Sequence, residues 1–154
     1  MAMYRPSLRA VVLWLVVVVA GGVLGRSATA ATTSVSVAVA SQVKGPSEVV
    51  RFAGNAQITS ALLIDEFGGP PSVHLTLDLR GVAGVGVTTK KRYVISGPQI
   101  MIRPLVSTEV IDFTFPFVPS GALAPIGIGN ATFGIAFDVS TANVNRAAAT
   151  ITDP

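Results

Sequence analysis

The chain reads as an all-β protein: a single antiparallel β-sandwich after an N-terminal signal peptide, with a small closed β-barrel as the alternative. Three observations predict this. Apolar and polar residues alternate with period two along most of the chain. Fifteen glycines and ten prolines punctuate it at intervals that suit turns between short strands. No stretch carries the 3.6-residue apolar period of a helix long enough to cover a sheet.

Residues 1–30 form the expected leader. Arg5 and Arg9 precede an uncharged, valine-rich stretch from Ala10 to Gly25, and Ala28-Thr29-Ala30 places small residues where a signal peptidase reads them. Sixteen uncharged residues fall short of the roughly 20 that a spanning helix needs, so cleavage after Ala30 is expected. No cysteine follows for a lipid anchor and no twin arginines precede, which predicts the general secretory route. Residues 31–154 are then one domain, periplasmic or secreted.

Within that domain, Val35, Val37 and Val39 alternate with Ser34, Ser36, Ala38 and Ala40 as a one-faced strand. Glu48–Ala53 is a second, short strand after Gly45-Pro46. Ala56–Asp65 is a third, with Ile58, Leu62 and Ile64 on one face, and it ends at Gly68-Gly69-Pro70-Pro71. Ser72–Arg80 alternates most cleanly, with Val73, Leu75, Leu77 and Leu79 opposite His74, Thr76, Asp78 and Arg80. Gly81, Gly84 and Gly86 read as a hairpin connection or bulge. Thr88–Ser96 and Gln99–Arg103 follow, divided by Gly97-Pro98.

Glu109–Val118 carries Ile111, Phe113, Phe115 and Phe117 on one face, the expected centre of the core, and Asp112 and Pro116 on the other. Pro119–Gly129 reads as a loop. Ala131–Val139 presents Phe133, Ile135, Phe137 and Val139, and Asn143–Ile151 closes the sheet as a strand or, given its alanines, a short helix. Seven to nine strands at this spacing suit a sandwich. An outer-membrane barrel would carry aromatic girdles, whereas residues 31–154 hold no Trp and one Tyr.

Charge follows the same division. The formal +3 of the chain comes from Arg5, Arg9 and Arg26, with no acid in the leader, so residues 31–154 are neutral. A nucleic-acid partner therefore lacks its electrostatic footprint, and membrane contact is expected only through the uncleaved leader. With no cysteine and one histidine, disulfide scaffolds, thiolate sites and multi-histidine metal centres are excluded within one chain.

His74 is the one imidazole and hence the catalytic candidate. Asp78 shares its strand face but lies about 13 Å away, so an orienting acid has to come from another strand. The simpler reading is a solvent-facing histidine. No GxSxG elbow or P-loop exists, and the glycines of 81–86 do not match a dinucleotide fingerprint. Lys90-Lys91-Arg92, read as part of one strand, splits its charges between two faces and suits a solvated edge. Arg92, and Arg103 set before Pro104, are the ligand-binding candidates. Asp65-Glu66 lacks the alternating acids of a calcium loop, and Asn130-Ala131-Thr132 is a glycosylation sequon.

These features predict no cofactor and no metal. They favour an exported, non-catalytic binding or interaction module with a protein or small-molecule partner. An assembly subunit using strand 32–40, or a small β-barrel enzyme using His74, are the alternatives.

Overall fold

Period-two alternation builds nine strands. In a computed structural model, which describes residues 32–154, they are β1 Thr32–Lys44, β2 Val49–Leu63, β3 Ser72–Asp78, β4 Val82–Gly86, β5 Arg92–Ile95, β6 Pro98–Pro104, β7 Thr108–Pro119, β8 Gly127–Phe137 and β9 Val144–Thr152. No helix occurs among the described residues. The expected leader and its cleavage site lie outside them. All pairings are antiparallel within one sheet, ordered β6-β3-β2-β4-β5-β7-β8-β9, with β1 on the other edge of β2.

β2 is one strand where the sequence suggests two. β1 pairs with it without a break, from Thr32 opposite Ala61 to Lys44 opposite Val49. On its far edge β2 is shared: residues 50–54 face β4 and residues 57–63 face β3. The fork falls at Gly54, whose φ of +148° is open to glycine and strained for other residues. A Cβ there would also run into the Gly81 carbonyl. Ile64, expected on the core face, lies past the strand end and is exposed.

The Gly81–Gly86 segment is not a hairpin connection. Val82–Gly86 is β4, and the turn follows at 87–91, with Lys90 at φ +61°. Thr88–Ser96 is accordingly not one strand, since β5 starts at Arg92. The glycines of β4 provide room rather than curvature. Gly84 stands opposite Phe52, and a Cβ on it would come within 2.7 Å of that ring. The same device starts β8 inside the expected loop: Gly129 faces Phe115 and Gly127 faces Phe117, each ring lying over a glycine with no side chain to meet it.

Asn143–Ile151 resolves to strand β9 rather than a helix. Ala147, Ala149 and Ile151 turn inward on alternate positions opposite Ile135, Phe133 and Ala131, a period that a helix would destroy. Val139 falls beyond β8 and is exposed, and Phe113 is only half-buried, stacked on Phe133 with centroids 5.8 Å apart.

One core runs from Val37 in β1 to Ile151 in β9. Phe52 of β2 meets Phe115 and Phe117 of β7 edge-to-face, at 6.0 and 5.3 Å. β4 and β5 stand between those strands in the sheet, so the sheet must curl for the rings to touch. It does not close into the alternative barrel. β1 and β9 run side by side and parallel, joined by side chains in place of a backbone ladder: Thr33 Oγ1 donates to Asn143 Oδ1, and Ser41 Oγ donates to the Ile151 carbonyl. The Lys44 amide donates to Asp153 Oδ1 at 2.5 Å. These bridges keep an offset of 110, 110 and 109 residues, which fixes the two strands in one register.

Candidate functional site

His74 sits half-buried on the outward face of β3. Its cross-strand neighbours are Ala61 on β2 and Ile102 on β6, and the diagonal positions hold Thr59, Leu63, Ile100 and Pro104. None of these is an acid. Asp78, on the same face, is held by Arg80, whose Nε and Nη2 donate to the carboxylate at 2.9 and 2.6 Å. The guanidinium keeps the Asp78 carboxyl below its usual range and engages it away from the imidazole. The acid partner that His74 would need for general base work is thus absent from the positions a sheet offers it.

Arg103 is likewise engaged. Its Nε donates to Glu109 Oε1 at 2.5 Å, tying the end of β6 to the start of β7. The second carboxylate oxygen of Glu109 is buried without a partner, as is the hydroxyl of Ser60 in β2. Asp65 Oδ1 accepts from the Phe67 amide at 2.9 Å in a local turn. Among the described residues no cluster of three His, Asp or Glu side chains is placed to hold a metal. The sequon lies inside β8 instead of a loop, with the Thr132 hydroxyl donating to Asp112 at 2.5 Å.

A carboxylate that sequence reading passes over gathers donors from three residues of distant sequence. Glu48 closes the β1–β2 turn and receives the amides of Thr88 and Thr89 at 3.0 and 2.9 Å, the Thr89 hydroxyl, and the Tyr93 hydroxyl at 2.8 Å. Gly86 lies beneath it, where any Cβ would strike the carboxylate. The Thr89 hydroxyl and amide, ahead of Tyr93 and Thr88, hold its pKa down to about 2. Burial, followed by the hydrogen bond to Glu48 and then that group's charge, pushes the Tyr93 phenol up. Glu48 therefore works as a clasp between the β1–β2 and β4–β5 turns.

Arg92 lies in a different setting. It projects from the outward face of β5, opposite Val85 of β4, which is in turn opposite Arg51 of β2. All three are exposed, so two guanidinium groups flank an aliphatic side chain across three strands. Neighbouring rows on this face are small and apolar: Ala53, Ala83 and Val94 form one, and Val49 beside Lys44 begins another.

Register also sorts the charges by position along the strands. The end that carries the β1–β2, β4–β5 and β7–β8 connections holds Lys44, Arg51, Lys90, Lys91 and Arg92 against Glu48 and Asp153. The opposite end holds Asp65, Glu66, Glu109, Asp112 and Asp138 against Arg103 and Arg146. A net-neutral domain is thus basic at one end and acidic at the other. In comparisons with known proteins, no family model, no curated protein and no solved structure matches this chain.

Proposed function

We propose that the chain is an exported, non-catalytic β-sandwich module, released by cleavage near Ala30, that works by binding a partner. The curled sheet, whose inner faces share the Phe52, Phe115 and Phe117 rings, supports a two-layer reading. The observation that carries the binding function is the outer edge of β6. β6 pairs on one side with β3 and on the other with no strand among the described residues, and Ile100 and Ile102 stand 62% and 63% exposed upon it. Pro98 and Pro104 bound the accessible stretch. Among the described residues β7 is also open over 108–116 on the edge away from β8, because β5 covers only Phe117–Pro119. Two unpaired edges tied together by Arg103 and Glu109 suit an added partner strand, with main-chain bonds for affinity and the isoleucines for selectivity.

Native mass spectrometry of the protein recovered from its source tests this. A retained partner, lost on Ile102→Lys with unchanged circular dichroism, is the expected result. Repeated recovery of the bare protein, or a partner indifferent to that substitution, overturns it. A second reading, an assembly subunit donating residues 32–40, draws on the side-chain seam along β1, which has no backbone ladder to β9. Unchanged assembly after deletion of residues 31–41 from a stable chain would refute it.

A further inference from the structure

We propose that the basic end of the fold docks on an anionic lipid bilayer, with Arg51 and Arg92 against phosphate headgroups and the β7–β8 loop in the interface. This goes beyond strand addition at β6 and beyond membrane contact through a leader. The first support is charge complementarity. Arg51, Lys90, Lys91 and Arg92 cluster on adjoining strands and their turn, and none is in an ion pair among the described residues. The acids nearby are occupied: Glu48 by Thr88, Thr89 and Tyr93, and Asp153 by the Lys44 amide. Lys90 Nζ donates to the Val87 carbonyl at 2.7 Å, a bond to a neutral group that leaves it outside any ion pair. The acidic end lies a strand length away, about 30–40 Å, well beyond the roughly 8 Å over which exposed charges act at physiological salt.

The second support is shape. Arg51 borders two shallow recesses of about 200 and 260 Å³, one shared with Val85, Val87 and Lys90, the other with Ala40, Gln42 and Ala53. Cations alternating with aliphatic groups on an exposed sheet face match headgroups seated over acyl chains. The third support chooses a bilayer over an acidic protein. Residues 120–126 contain no charge, and Leu123 at the loop tip is fully exposed. Ser120 donates its amide to the Arg92 carbonyl at 2.8 Å, and Ile126 donates to the Phe117 carbonyl at 3.1 Å, so the apolar tip is fixed beside the cations. A hydrophobic side chain held out in water beside a basic row is stabilised by partitioning into an anionic interface.

The chain has no cysteine, so single labels are clean. Leu123→Cys and Glu66→Cys proteins, recovered from exporting cells and carrying an environment-sensitive dye, are mixed with phosphatidylcholine vesicles, with and without phosphatidylglycerol. The expected result is a blue shift at position 123 alone, on phosphatidylglycerol vesicles alone. Arg51→Gln and Arg92→Gln should each weaken partitioning about fivefold. Response at position 66, equal binding to the zwitterionic vesicles, or full binding by both arginine variants overturns the proposal. So does suppression by millimolar inorganic phosphate, which would indicate a free-anion site, or tighter binding to polyglutamate, which would indicate an acidic protein.

Discussion

Three aromatic rings in this fold rest on glycines: Phe52 on Gly84, Phe115 on Gly129 and Phe117 on Gly127. A methyl group at these positions has nowhere to go, because the ring is buried and its other face is packed. Gly84→Ala and Gly129→Ala should each cost about 1–3 kcal/mol, whereas Gly134→Ala, whose Cβ would meet nothing within 4 Å, should cost nothing. Urea midpoints of the three variants check this, and equal midpoints would refute it. The sequence could not separate these glycines from turn glycines, since a missing side chain looks the same whether it serves φ or a neighbour's ring. Glu48 was equally illegible, because Thr88 and Thr89 reach it across 40 and 41 residues. Its pKa of about 2 lies below the ordinary 4.5, so its stabilising effect is complete above that ordinary value and fades as pH falls toward 2. The melting-temperature gap between the native chain and Glu48→Gln should be widest above pH 5 and narrow steadily below it. A gap independent of pH would rule out the clasp.

At the scale of elements, the strands with clean alternation were legible. Val73, Leu75, Leu77 and Leu79 bury as a row because a pleated strand sends alternate side chains to opposite faces, and Ile111, Phe115 and Phe117 do the same. The union of two short strands into β2 was not legible, since only β1 opposite reveals that Gly54 continues the strand. The alanines of β9 gave no period until Phe133 and Ile135 stood across from them. The β1–β9 seam follows from packing alone. Ser41→Ala should cost about 1 kcal/mol and speed amide exchange in β1 and β9 while leaving β3 and β6 unchanged. Exchange that rises evenly over the sheet would contradict a local seam.

For the whole molecule, composition predicted neutrality and missed polarity, because the placement of each charge along the strands depends on register. Reading Lys90, Lys91 and Arg92 as strand residues dispersed charges that the turn in fact gathers at one end. Composition does make export measurable. Trp14 is the one tryptophan and lies before Ala30, leaving Tyr93 as the single phenol of residues 31–154. Exported protein should therefore fluoresce with tyrosine emission only, and tryptophan emission from it would disprove cleavage near Ala30.

The parallel placement of the first and last strands also decides how the fold carries load. β1 begins at the acidic end and β9 finishes at the basic end, so tension applied at Thr32 and Thr152 runs along the strands. It meets the thirteen-residue β1–β2 pairing and the β8–β9 pairing in shear, with many bonds strained together, while unzipping would break them singly. A domain strung between a surface and a partner through those ends would resist extension as a unit before giving way.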